Sequence, residues 1–245
     1  MSIPPRTSQV AFPSTRWSLV QRVQKGGEAE AAQALNDLCR HYWYPIYAFS
    51  RRNGFSRHDA EDITQEFFQR ILGSEALKVA SEEKGRLRSF MLALLKRTIS
   101  NHIRHDSAKK RGGSPVATLS FDDEGAEARY LAELADEFDA TTVFDRAWAE
   151  EVLHTAESRL RDDFVKGDNL DDFECLREYL PHGDNATPYT ELAARLGISE
   201  GALRLQIHRM RKRYAKLIES EIAQTVTDPA EQKQELEHLM AVIGR

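Results

Sequence analysis

Carboxylates and histidines at helical spacing are residue types that could bind a metal ion, and this sequence contains two such groups. Glu151-Val-Leu-His154 and Glu235-Leu-Glu-His238 are two Glu-x-x-His motifs on predicted helices. A helical bundle with a di-iron centre uses two such motifs together with two further glutamates. A helical metalloenzyme is therefore one hypothesis. Against it, both histidines fall at the edges of short predicted helices rather than on an apolar inner face.

Acidic and amide side chains also line one face of the predicted helix 57–72. Ala60, Ile63 and Phe67 form its apolar stripe, and Ser56 is a suitable N-cap. The opposite face carries Asp59, Glu61, Asp62, Gln65 and Glu66. Acids near a helix N-terminus suit the helix dipole. This face is solvated surface, a metal site, or a docking surface for a basic partner.

The charges of the chain are unevenly distributed. Its 245 residues have a net charge of −5 and contain no apolar run of membrane-spanning length. Residues 84–113 nevertheless contain nine basic residues against one acid, and residues 203–216 contain six basic residues and no acid. Residues 121–140, between them, contain eight acids against one arginine. Two basic segments on predicted helices point to an anionic partner such as nucleic acid.

Other features of the sequence predict a cytoplasmic protein without disulfides or a structural metal. Cys39 and Cys175 have no spacing typical of a zinc or redox motif. The N-terminal residues lack the apolar segment of a secretory signal, and no membrane association is expected.

Helical periodicity extends over most of the chain, with little period-2 alternation, and predicts an all-α fold. A Gly pair and a proline near residues 112–115, followed by acid-rich sequence, predict a break between two halves. The helices are expected near residues 16–24, 28–41, 44–53, 57–72, 87–110, 143–164, 170–180, 189–196, 200–222 and 229–243.

Residues 187–217 have the pattern of a helix-turn-helix. Thr187 and Pro188 suit a helix start, Gly197 suits its end, and Ser199 suits the cap of the next helix. Most basic residues of the second helix lie opposite its apolar stripe. Such a helix enters the major groove, where Arg and Lys contact phosphates or read guanine. An αα-hairpin with a charged outer face is the alternative.

Three stretches carry a resemblance to a known family. "YPIYAFSRRNGFSRHDAEDITQEFFQRIL", "FMLALLKRTISNHIRH" and "TELAARLGISEGALRLQIHRMRKRY" resemble regions 2 and 4.2 of sigma-70 family RNA polymerase sigma factors of the extracytoplasmic-function (ECF) class. The resemblance covers about residues 19–111 and 143–217. Phe90 stands where the family commonly has Trp, and Arg97 where it commonly has Asn. Leu205 and Gln206 also depart from the usual recognition helix.

The resemblance implies an all-α architecture of two small helical domains. Residues 1–18 would be an N-terminal extension, 19–113 sigma region 2, 114–141 an acidic linker, and 142–245 sigma region 4 with the helix-turn-helix and a C-terminal helical extension. The extension is expected to pack on region 4, with a regulatory helix as the alternative.

The resemblance also implies partners: core RNA polymerase, through its β′ clamp and β flap, promoter DNA, and an anti-sigma factor or a kinase. Thr64, on the docking helix, is a candidate for phosphorylation, with an ordinary helix-surface threonine as the alternative. Neither a catalytic residue nor a cofactor or metal is expected, because the polymerase would perform the chemistry. A helix-turn-helix regulator acting without polymerase is the main rival hypothesis.

The family pattern implies three sets of site residues. Core polymerase would meet Asp59, Glu61, Asp62, Gln65 and Glu66. The −10 element would meet Lys84, Arg86, Arg88, Phe90, Arg97, Asn101, Arg104, Lys109, Lys110 and Arg111. The −35 element would meet Ser199, Glu200, Arg204, Gln206, His208, Arg209 and Lys212.

Overall fold

The structure is a computed structural model that describes residues 19–20, 22–23, 26–72, 86–109, 123–133, 138–181, 183, 187–226 and 228–244. Over these ranges the chain forms helices and turns and no strand, which confirms the all-α prediction. The helices are α1 (Glu28–Arg52), α2 (Arg57–Leu72), α3 (Leu87–Lys109), α4 (Asp123–Glu133), α5 (Ala140–Lys166), α6 (Leu170–Leu176), a 3₁₀ turn (Arg177–Tyr179), α7 (Tyr189–Leu196), α8 (Glu200–Ala223) and α9 (Pro229–Ile243).

Helix α1 is continuous where the sequence predicted two helices. Its second half is buried on every side from Tyr42 to Ser50, including Pro45. A helix that is apolar all round lies inside a protein. Helices α2 and α5 pack along it, so tertiary packing holds α1 together through the proline.

Helix α5 joins two hydrophobic clusters. Phe144 and Trp148 lie in a first cluster with α1, α2 and the start of α3. Leu160, near the other end of α5, lies in a second cluster with the helix-turn-helix. Asp139 caps α5 by accepting a hydrogen bond from the Thr142 backbone N–H at 2.7 Å. The two clusters are thus connected through one 27-residue helix.

Helix α4 lies within the range predicted to be a linker. No helix was predicted there. Its Tyr130 is buried in the first cluster. Arg129 makes ion pairs with Glu133, Glu150 and Glu151, and its guanidinium lies 3.7 Å from the ring centroid of Tyr44. These contacts hold the acidic segment against α1 and α5.

Helix α9 packs on α5 and on the end of α8. Asp228 caps it by accepting a hydrogen bond from Ala230 N–H at 2.8 Å. Its Leu239 and Val242 belong to the first cluster, so the helix also reaches beyond the helix-turn-helix half of the chain. No helix in the described ranges is long and apolar enough to cross a membrane.

Candidate nucleic-acid interface

The helix-turn-helix forms from α7, a left-handed glycine and α8. Gly197 has φ 66°, which a side chain would strain, and it ends α7. The Ser199 hydroxyl accepts a hydrogen bond from Ala202 N–H at 3.2 Å and begins α8. The predicted cap of α7 differs: Pro188 is the N-cap, and Thr187 donates from both its N–H and its hydroxyl to Glu178 at 3.1 Å.

One face of α8 is buried and the opposite face is open. Leu203, Ile207, Met210 and Tyr214 pack into the second cluster. The predicted −35 contacts are all exposed: Ser199, Glu200, Arg204, Gln206, His208, Arg209 and Lys212. The periodicity of the sequence therefore assigned the two faces of this helix correctly.

Two arginines on α8 have structural partners instead of facing solvent freely. Arg211 Nε donates to the backbone oxygen of Tyr179 at 2.6 Å. Arg213 makes an ion pair with Asp163 of α5 at 2.8 Å. Arg204 forms an exposed pair with Glu200 at 3.6 Å, and its guanidinium lies 4.6 Å from the ring centroid of Tyr189 on α7.

A groove of about 660 Å³ runs beside this face of α8. Arg209, Lys212 and Lys216 line it, over an apolar floor that includes Phe164 and Met210. Among the described residues these three cations make no ion pair. The groove therefore offers concentrated positive charge to phosphates next to the helix that would contact bases.

The acidic face of α2 is present but is partly engaged within the protein. Ser56 caps the helix by accepting from Asp59 N–H at 3.2 Å, as predicted, and its hydroxyl donates to the Asp59 carboxylate. Glu61 pairs with Arg57 at 2.8 Å. Gln65 is half-buried.

The remaining acids of this face differ in exposure. Glu66 pairs with Arg70 at 2.9 Å and lies 3.4 Å from His102 of α3. Asp62 is the most exposed, and among the described residues its ion-pair partner is His58, 3.8 Å away. Asp62 is thus the acid best placed to meet a partner.

Thr64 faces the protein interior and not the docking face. Its side chain is fully buried, and its hydroxyl donates to the Ala60 backbone oxygen at 2.7 Å. A kinase could not reach it while α2 stays folded. The hypothesis of phosphorylation at this residue is wrong for this conformation.

The predicted −10 contacts are divided among several environments. Lys84, Lys110 and Arg111 lie outside the described residues, as does the side chain of Lys109. Arg97 and Arg104 are exposed on α3, and Asn101 is half-buried. Phe90 is half-buried and packs against the first cluster.

Arg88 is buried in this conformation and is not available to DNA, contrary to the prediction, whereas Arg86 is partly exposed and has partners on α9. Arg88 is 7 % exposed and donates to Asp145 at 2.6 Å and to Glu235 at 2.9 Å. Arg86 donates to Gln234 and lies 3.6 Å from Glu235. The basic charge of this turn is neutralised inside the protein.

The acids around Arg88 were not among the predicted site residues. Asp145 of α5 and Glu235 of α9 both bind it, and His238 lies 3.1 Å from Asp145. A signal existed: Glu235 lies at helical spacing from the buried Leu239 and Val242, so an acid stands on the apolar stripe of α9.

The Glu-x-x-His motifs take part in these and other polar contacts. Glu235 binds Arg88, Glu151 binds Arg129 at 3.1 Å, and His154 is exposed. In the part of the chain that the structure describes, no three His, Cys, Asp or Glu side chains are grouped as metal ligands. The metalloenzyme hypothesis gains no support from this arrangement.

In comparisons with known proteins, the chain matches no family model, no curated protein and no solved structure.

Proposed function

We propose that the protein is a bacterial transcription initiation factor of the sigma type, acting in the cytoplasm. It binds core RNA polymerase, directs it to promoters and aids their opening. The acidic face of α2 meets a basic surface of the β′ clamp, and α8 reads the −35 element near the β flap. Exposed parts of α3 approach the −10 element. The protein supplies no catalytic group.

The observation that carries the proposal is the helix-turn-helix. Its second helix exposes Arg204, His208 and Arg209 while burying the opposite face, which is the geometry that a major-groove reader requires. A basic groove beside the helix adds positions for phosphate contacts. Nucleic acid is therefore the partner whose charge and shape this half of the molecule fits best.

Helix α2 supports a polymerase partner in addition to DNA. The exposed acids of α2 would be repelled by DNA. They suit a basic protein surface instead, because opposite charges guide the encounter and orientation of two proteins. Asp62 provides the exposed charge, and the buried stripe beneath it keeps the helix rigid. A DNA-binding regulator that acts alone needs no such face.

A regulator acting without polymerase is the second candidate, and one observation favours it. Arg57, His58 and Arg70 each lie against an acid four residues away on α2. Such pairs are ordinary on a solvated helix and account for part of the acidic face without a partner.

Transcription with core polymerase tests the proposal. Core enzyme is incubated with fragmented genomic DNA, with and without the protein, and the transcript ends are mapped. New discrete start sites that share upstream elements are expected. If no new start appears and a pull-down recovers no core polymerase, the regulator acting alone is the better assignment.

A charge-reversal pair tests the docking surface itself. Asp62→Lys with Glu66→Lys should abolish the pull-down of polymerase, because two like charges would face the basic partner. Glu219→Lys with Glu237→Lys changes the net charge equally on exposed parts of α8 and α9 and should retain binding. Equal binding by both double variants would overturn the docking assignment.

A further inference from the structure

Helix α9 covers the first turn of α3. The Leu87 backbone N–H donates to the Thr225 oxygen at 2.9 Å, which ties the start of α3 to the turn between α8 and α9. Arg86 contacts Gln234 and Glu235, and Arg88 Nε donates to Glu235 at 2.9 Å. One end of α9 therefore lies against the start of α3 and contacts both Arg86 and Arg88.

Arg88, Asp145 and Glu235 form a buried ion-pair cluster beneath α9. Glu235 is 0 % exposed. Burial lowers the pKa of the Arg88 guanidinium, but the bond to Glu235 and the charge of Asp145 outweigh burial and raise that pKa overall. Arg88 also lies 5.3 Å from the Trp148 ring centroid. Of the two carboxylates that bind Arg88, only Glu235 belongs to α9.

We propose that α9 is an autoinhibitory helix. In the free protein it masks Arg86 and Arg88. When α9 dissociates from α3, these arginines become accessible to single-stranded −10 DNA. The inference rests on the proposed function, since that function gives these arginines a DNA partner. Release of α9 removes the contacts of Arg86 with Gln234 and Glu235. It leaves Asp145 as the acid bound to Arg88.

The way α9 is attached permits release. It follows α8 after a short turn, and its contacts with the start of α3 are polar ones, from Gln234 and Glu235. Its N-terminus is held by the Asp228 cap, and its apolar contacts come from Leu239 and Val242. By contrast, Arg209, Lys212 and Lys216 of α8 make no ion pair among the described residues. Inhibition is thus confined to one of the two predicted DNA surfaces.

Two charge reversals on α9 test the proposal in the full chain. Glu235→Lys places a cation against Arg86 and Arg88 and should displace α9. Glu237→Lys makes the same change in net charge two residues away, on an exposed side chain whose ion pair is with Lys233. Both proteins are titrated, without polymerase, into a fluorescein-labelled single-stranded DNA of random sequence.

Glu235→Lys is expected to bind this DNA about tenfold more tightly than the wild type, because the competent state is no longer a minor one. Glu237→Lys should change affinity by about twofold or less, which measures the effect of charge alone. Adding Arg86→Ala and Arg88→Ala to Glu235→Lys should remove the gain. Equal affinities of the two lysine variants, or a gain that survives the arginine substitutions, would overturn the proposal.

A milder variant decides the question if Glu235→Lys loses its helical circular dichroism. Asp228→Ala removes the cap of α9 and leaves every residue of the charge cluster in place. It should raise affinity for the same DNA by about threefold. Unchanged affinity would then contradict autoinhibition.

Failure of this inference can be told apart from failure of the proposed function. A protein that initiates transcription with core polymerase, but whose α9 variants bind single-stranded DNA no better, is a sigma-type factor without this inhibition. If the α9 variants gain affinity but no variant supports initiation, masking by α9 is real and the assignment to transcription initiation is wrong.

Discussion

The first turn of α3 and the exposed face of α8 are both basic in sequence and have opposite surroundings. Arg88 lies buried between two carboxylates, whereas Arg209 is exposed beside an open groove. One cation holds helices together, and the other is available to a partner. A count of Lys and Arg along a segment therefore does not distinguish a binding surface from an internal ion pair.

The difference arises from distant parts of the chain. Arg88 is 57 residues from Asp145 and 147 residues from Glu235. A guanidinium that is removed from water requires carboxylate partners, because an unpaired buried charge is strongly unfavourable. Arg209 has no helix folded over it within the described residues, so it keeps its hydration.

Truncating the buried arginine should have the largest effect. Arg88→Ala leaves Asp145 and Glu235 buried without their cation, and we expect the free energy of unfolding to fall by about 3–5 kcal/mol. Urea unfolding followed by circular dichroism measures the change. The matched control is Arg209→Ala, which removes the same atoms from an exposed site and should cost about 0.5 kcal/mol or less. Equal losses in the two variants would contradict the contrast between these arginines.

The exposed arginine should matter for DNA and not for folding. Arg209→Ala should weaken binding of the complete initiation complex to its promoter by about 1–3 kcal/mol if the side chain reads a base edge. Competition between promoters with different −35 sequences checks this. Lys233→Ala, an exposed cation on α9, is the control and should leave promoter affinity unchanged. A loss identical for every −35 sequence would restrict Arg209 to phosphate contacts.

Local pattern was sufficient to predict α8. Its apolar residues recur at helical spacing, Ser199 supplies a cap, and Gly197 supplies the left-handed turn, so its buried and exposed faces were both foreseeable. These features involve residues within one or two turns of each other. Local sequence decides them because the hydrogen bonds and the buried stripe are local.

Long-range partners could not be predicted in the same way. Arg88 was assigned to DNA from the family pattern, and nothing near it in sequence reveals the acids that bind it. Helix α4 was missed for a related reason: its many acids favoured a linker, whereas Ala126 and Tyr130, four residues apart, pack it on the first cluster. In both places a residue's role depends on which distant helix folds against it.

The starts of the two basic helices offer a smaller test of the same contrast. Helix α8 is capped by its own Ser199 side chain, whereas Leu87 of α3 donates its N–H to the Thr225 oxygen from another part of the chain. Ser199→Ala should therefore lower the free energy of unfolding by about 1 kcal/mol. Ser100→Ala, on an exposed turn inside α3, is the control and should be neutral or slightly stabilising. A neutral Ser199→Ala would show that the cap contributes nothing.

Acids also divide into internal partners and exposed surface, and pH can separate the two groups. Glu127 of α4 receives hydrogen bonds from Tyr47 and from Arg51, whose Nη2 lies 2.8 Å from the carboxylate. Burial raises the pKa of Glu127, but these hydrogen bonds outweigh it and hold the pKa below its ordinary value of 4.5. Asp62 of α2, in contrast, stays exposed.

A lowered pKa in the folded state means that the charged carboxylate stabilises the protein above the unfolded pKa. This contribution is lost as the pH falls through the folded pKa. Glu127→Gln should therefore be less stable than the wild type at neutral pH, by about 1 kcal/mol or less, and the difference should shrink below pH 4.5. Urea unfolding across acidic and neutral pH measures it. A Glu127→Gln difference that is constant with pH would mean that packing, and not charge, holds α4 on α1.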